Sequence, residues 1–177
     1  MNSLRILELE TTHIPGALEV IRAHVGAYFY PREIEDARTL FQSVCTGLDS
    51  TKQFVAVEDD AVLGTMGYRE ESGAQGAYNL TYVAVHPEAV RRGVGRALWK
   101  TVRDELVQRD ARIVYTWTSP LPYTQGPRTF YESLGFSCTA IVPNYWQDGD
   151  DLAIFSLRFD ACGFPKRGPG EAEAEEG

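Results

Sequence analysis

Residues 77–118 constrain the architecture more than any other stretch. "AYNLTYVAV" (77–85) is rich in β-branched and aromatic residues, as strands are, and it stops at His86-Pro87. Leu98, Val102 and Leu106 then recur at helical spacing between Val94 and Gln108, and "ARIVYTWT" (111–118) returns to strand. Strand, helix and strand in so short a span form a β-α-β crossover, the connection that parallel neighbours in a sheet require. The linker between the first strand and the helix is unusual. "AVRRGVGRAL" (89–98) places two glycines, poor helix formers, among three arginines where a helix must start.

The flanking segments read as hairpins and amphipathic helices. "LRILELE" (4–10) alternates as a half-buried strand does. Ile14, Leu18, Ile21 and Val25 mark a helix over 13–29, and Ala37, Leu40, Phe41 and Val44 mark another over 32–44. "QFVAVED" and "AVLGTMGYREE" are strands joined at Asp59-Asp60. Pro127 is expected at the first position of a short helix that Gly135 closes. "SCTAIVPNYW" and "DLAIFSLRF" flank the Asp-Gly of a tight turn. The order is β-α-α-β-β-β-α-β-α-β-β, a mixed α/β domain over residues 1–163. Residues 164–177 are rich in Gly, Pro and Glu and are expected to be a disordered acidic tail.

A glycine turn that feeds a helix N-terminus offers bare backbone N–H groups at the positive end of a helix dipole, a natural anion site. Gly93 and Gly95 let a phosphate approach closely, and Arg91, Arg92 and Arg96 surround it with charge, so the loop reads as a diphosphate cradle. A Walker A loop lacks its Gly-Lys-Ser/Thr here. A dinucleotide fingerprint fails because Leu98 stands where its third small residue belongs. A mobile turn with solvated arginines is the remaining alternative from this loop alone.

Composition narrows the classes further. With 17 basic and 25 acidic residues the formal charge is −8, which disfavours nucleic acid and is compatible with a cationic partner such as an amine. Cys45, Cys138 and Cys162 show no paired spacing, and His13, His24 and His86 show no ligand spacing, so no metal is expected. No apolar run approaches membrane-span length, and "MNSLRILELE" lacks the layout of a secretory signal, so a cytoplasmic location without membrane association is expected.

"LTYVAVHPEAVRRGVGRAL", followed some 30 residues later by "TFYESLGF", resembles the GNAT superfamily of acyl-CoA-dependent N-acyltransferases. The element order matches that fold across about residues 4 to 159. The family pattern Arg/Gln-x-x-Gly-x-Gly/Ala, which holds the pyrophosphate of coenzyme A through backbone amides, falls on Val90 to Gly95. Val90 departs from the usual Arg or Gln, Arg91 from a common glycine, and Thr124 from a common Asn near the second anchor. The resemblance assigns coenzyme binding to Val83, Ala84 and Val85 on the strand, and to Arg91, Arg92, Gly93, Val94, Gly95, Arg96 and Ala97 on the loop and first turn.

The same resemblance implies acetyl transfer from acetyl-CoA to an amine by direct attack in a ternary complex. The acceptor is a small molecule or a protein N-terminus, and the protein a monomer or homodimer. Tyr131 is placed beside the coenzyme sulfur as general acid, while Phe130 and Leu134 are expected to be the helix's core residues. Relatives often carry a Glu base where this chain has Thr81; Thr81 and Glu70 are the candidates for a water-relayed base. Tyr28, Phe29 and Tyr30 fall where relatives shape the acceptor pocket. The other reading is a non-catalytic acyl-CoA sensor of the same fold.

Overall fold

The computed structural model describes residues 3–26 and 29–159. The expected tail (164–177) and Tyr28 lie outside the described residues. Eleven principal elements follow the expected order: β1 (Arg5–Glu8), α1 (Ile14–Arg22), α2 (Glu33–Cys45), β2 (Lys52–Glu58), β3 (Ala61–Glu70), β4 (Ala77–Val85), α3 (Val94–Gln108), β5 (Ile113–Thr118), α4 (Gln125–Ser133), β6 (Ser137–Gln147) and β7 (Asp150–Arg158). The strands form one sheet in the order β1-β2-β3-β4-β5-β7-β6, antiparallel throughout except for β4 beside β5.

Alternation along the strands divides the core in two. Ala56, Met66, Tyr68, Leu80 and Val114 face α3, which buries Leu98, Val102 and Leu106 completely. Burying each such leucine or valine contributes about 1.5–3 kcal/mol before entropy is counted. Val55 and Val57 face the opposite way and meet Ile14, Leu18 and Ile21 of α1 and Phe41 of α2. The β2–β3 turn takes Asp59 and Asp60 to φ values of 48° and 63°, the left-handed pair that a two-residue hairpin demands.

Two boundaries differ from the sequence expectation. The first helix stops at Arg22 rather than near residue 29, because His24 turns away to bond the Val85 carbonyl from Nε2 at 2.8 Å. The α4 helix begins at Gln125, so Pro127 stands inside its first turn, where a missing N–H still costs no helix bond.

The crossover places the site. Pairing of β4 with β5 runs only from Ala77–Ile113 to Asn79–Tyr115 and then stops. On the other side of β4 the β3 ladder shifts between Thr65–Ala84 and Gly67–Thr81, leaving both Tyr82 and Val83 against Met66. Tyr82 accommodates the extra residue at φ 41°. Such a bulge bends its strand and sharpens its twist. The far half of β4 therefore diverges from β5, and a cleft of about 400 Å³ opens along the gap.

Candidate active site

The loop before α3 has the geometry of an anion cradle. Gly93 is the N-cap in a left-handed conformation (φ 84°), and no side chain caps the helix there. The first helical bond of this end is from the Ala97 N–H to the Gly93 carbonyl at 3.0 Å. The N–H groups of Val94, Gly95 and Arg96 thus have no partner within the helix. Gly95 is needed for close packing as well: a Cβ there would come within 3.1 Å of the Phe130 ring of α4 and 3.5 Å of Val85.

The three arginines have different surroundings. Arg92 is ion-paired with Glu58 of β2. Arg96 donates from Nη2 to Ser133 Oγ at 3.2 Å. Arg91, exposed and left-handed at φ 65°, has no ion-pair partner among the described residues and is the cation left for a ligand at this loop.

From the cradle, β4 leads into the cleft. Beyond Asn79 its β5-facing edge carries no strand, so the stretch holding Val83, Ala84 and Val85 presents unpaired backbone along the gap. The Val85 carbonyl is already engaged by His24, which ties the end of this edge to α1.

Tyr131 stands in the wall of the cleft. It is the buried residue of α4, 5% exposed, with its ring against Phe136 and Phe155. Phe130 and Leu134 are only partly buried, the reverse of the expected division, because Phe130 is drawn off to cover Gly95. Burial pushes the Tyr131 phenol above its ordinary pKa, and a hydrogen bond with Thr116 of β5 acts in the opposite direction. The phenol is therefore protonated at and well above neutral pH.

The two residues singled out by sequence for a base sit in different surroundings. Thr81 is 8% exposed and lines the cleft, but its hydroxyl donates to Gln53 Oε1 at 2.9 Å. Gln53 in turn donates to Thr65 Oγ1 at 2.7 Å, so Thr81 belongs to a closed buried network. Glu70 lies along a separate hollow formed by the β3–β4 turn with Glu71 and Gly73.

Glu33, which sequence reasoning passed over, lines the cleft from the first turn of α2. Its Oε2 accepts the Tyr30 N–H at 2.5 Å. Burial raises its carboxyl pKa above the ordinary value, outweighing that hydrogen bond; the nearby Asp36 raises it further and Arg32 opposes. In the sequence it is one of three acids in the first turn of a helix, which reads as ordinary dipole compensation. Tyr82 stands close by, its phenol pushed up to about 12 by burial and by the charges of Glu33 and Asp36. Phe29 packs on Tyr82 at 6.3 Å and lines the cleft, whereas Tyr30 is 46% exposed with its ring 6.4 Å from Trp146. Among the described residues no cluster of His, Cys, Asp or Glu has the makings of a metal site, and no helix is long and apolar enough to cross a membrane.

A seven-stranded sheet split at its one parallel pair, with an uncapped glycine-led helix at the split, is the arrangement that the sequence resemblance implies. The acetyltransferase (GNAT) domain profile matches residues 49–138, and the chain belongs to that family. A [ribosomal protein bS18]-alanine N-acetyltransferase of Salmonella typhimurium is 36% identical over 78 residues, 42% of this chain and 51% of that protein, so the chain matches about half the length of this curated relative. A GNAT-family acetyltransferase structure from Desulfovibrio desulfuricans superposes with a TM-score of 0.81 at 26% identity, covering 88% of this chain and 99% of the other. An aminoglycoside 6'-N-acetyltransferase complexed with coenzyme A shares the fold at 15% identity with a TM-score of 0.74, covering 93% and 99% of the two chains.

Proposed function

We propose that this chain is an N-acetyltransferase that moves an acetyl group from acetyl-CoA to a primary amine by direct attack in a ternary complex. The observation that supports this reading is the succession of three features along β4 and α3. These are the three bare amides at the head of α3, the unpaired edge of β4, and a buried phenol at the cleft wall.

The residues present fit the coenzyme. Val94, Gly95 and Arg96 N–H groups, led by Gly93 and with Ala97 completing the turn, would hold the pyrophosphate, with Arg91 as the cation beside it. Arg92 and Arg96 would contribute at longer range, since both have partners in the protein. Val83, Ala84 and Val85 would line the pantetheine arm through their backbone. The thioester supplies the activated acetyl group. A backbone N–H of the open β4 edge would stabilise the carbonyl oxygen as it gains charge.

In the transfer, the amine nitrogen bonds the acetyl carbon as the carbon–sulfur bond breaks. Tyr131 gives its proton to the departing sulfur and recovers one from water. Glu33 takes a proton from the nitrogen through a water relay. Its raised pKa brings it closer to the working range of a base. Thr81, whose proton is committed to Gln53, then acts in positioning, and Glu70 stays with its hairpin. Phe29 and Tyr30 border the acceptor side. The similarity to the bS18-alanine enzyme supports an amine as acceptor.

Release of free thiol from acetyl-CoA over a panel of primary amines tests the assignment. Amine-dependent release supports it. Coenzyme binding without release on any amine would instead favour a sensor.

A further inference from the structure

We infer that the acceptor carries a carboxylate as well as its amine: the cleft is built for an amino acid or an equally small amino-carboxylate, with Arg69 as the residue that reads the acid. This deepens the reading above and rests on it.

Arg69 and Glu33 line the same cleft with Tyr131 and Tyr82. Arg69 is near the end of β3, in register with Asn79, at the closed apex of the β4–β5 gap. It lies in line with Gly67, on the sheet face that also carries Gln53, Thr81 and α2 rather than the face under α3. Glu33 approaches from α2 above that face. The cleft thus offers an anion and a cation on different walls. Neither has an ion-pair partner among the described residues, although the chain carries a formal charge of −8 and could readily have supplied one for the arginine.

The groups around Arg69 are arranged for a shared ligand rather than a closed pair. Asp49 and Glu71 are near enough to feel it: the arginine helps lower the Asp49 carboxyl, and it opposes the effect of Glu71 on Tyr115. Each of those acids has another tie. Asp49 accepts the Thr51 N–H at 2.7 Å, and Glu71 is hydrogen-bonded to the Tyr115 phenol. The Asn79 amide donates to the Tyr115 carbonyl at 3.3 Å, closing the apex beneath the arginine. The Arg69 guanidinium makes no side-chain hydrogen bond or ion pair among the described residues, and its donor fork fits a carboxylate in two parallel hydrogen bonds. The opposite wall, with Glu33 and Tyr82 on the acceptor side, receives the ammonium end. A plain diamine or a neutral amine leaves Arg69 without a partner.

The test uses the full chain and thiol release with acetyl-CoA over matched sets: amino acids, their carboxamides and the corresponding amines without the acid. The acids should exceed their carboxamides by about 10-fold in kcat/KM, the low end for a charge-assisted hydrogen bond because Arg69 is exposed in the free protein, mostly through KM. In Arg69→Gln the acid-to-amide ratio should fall to near one, and Arg69→Lys should restore part of it. Equal use of acids and carboxamides by the unaltered protein, a preference for peptide N-termini without a carboxylate in reach, or an acid preference that survives Arg69→Gln would each overturn the inference while leaving the transferase reading standing. Absence of release with every amine would overturn both.

Discussion

The cradle at the head of α3 and the cleft beside it are built from different materials. The half proposed for the coenzyme is backbone: bare amides at the head of α3, an unpaired edge on β4, and glycines that keep side chains out of the way. The half proposed for the acceptor is side chain: Glu33 from α2, Arg69 from β3, Tyr82 from the bulge and Phe29 from the loop after α1. A backbone site tolerates sequence change so long as the turn is kept, and Val90, where the resemblance leads one to expect Arg or Gln, fits such a site. A side-chain site changes its chemistry with a single substitution. One fold can thereby hold one coenzyme and vary its acceptor.

That contrast can be broken most forcefully at Tyr131, where the halves meet. Tyr131→Phe should lower kcat by about 10²–10⁴ with little change in coenzyme affinity, the usual contribution of an acid–base group. An unchanged kcat would remove the phenol from the mechanism. Steady-state kinetics paired with a coenzyme binding titration separates the two quantities.

Glu33→Gln comes next, at about 10²-fold in kcat/KM, the low end for such a group. Its stability effect has the opposite sign. The folded-state pKa of Glu33 is raised, so the fold favours the protonated form. The stability this gives is fully present below the ordinary carboxylate pKa and is lost as pH rises through the raised one. At neutral pH the charged carboxylate is therefore a burden, and Glu33→Gln should keep or raise Tm while activity falls. A lower Tm would mean that Glu33 is structural. In the unaltered protein kcat/KM should climb with pH as Glu33 ionises, and Glu33→Gln should flatten that limb.

The backbone half is probed by Gly93→Ala. Forcing a side chain into the left-handed N-cap costs about 1–2 kcal/mol, or roughly 2–8 °C in Tm for a domain of this size. The smallest effects distinguish the arginines. Arg92→Ala removes one partner of a partly exposed pair with Glu58 and should change coenzyme affinity less than about threefold. Arg91→Ala should cost more than Arg92→Ala, and the difference should shrink with added salt. Equal effects would mean that the cradle does not distinguish the two cations.

The same contrast explains what could be read from the sequence. The crossover, the hairpins and the glycine-led helix are local patterns within a few dozen residues, and the proposed coenzyme site follows from them. Gly93 and Gly95 announced themselves because glycine at a helix start is costly unless something needs bare backbone. Glu33 and Arg69 carried no such signal. One looks like a helix N-terminal acid and the other like a strand-end arginine, and only the packing of α2 over the sheet brings them to one cleft. Thr81 is the opposite case: the resemblance puts it where relatives carry a base, and its hydroxyl donates to Gln53 of β2. The division between Phe130 and Tyr131 was likewise set by a distant residue, Gly95, whose missing side chain leaves room for the phenylalanine ring.

The central claim is that backbone amides at the head of α3 and along the far half of β4 hold the coenzyme. Titration of the ¹⁵N-labelled protein with coenzyme A, read amide by amide, tests it most directly. The account predicts the largest shifts at Gly93, Val94, Gly95 and Arg96, with a second set at Val83 to Val85, saturating together. Shifts centred on any other surface, or none at millimolar coenzyme, would contradict it.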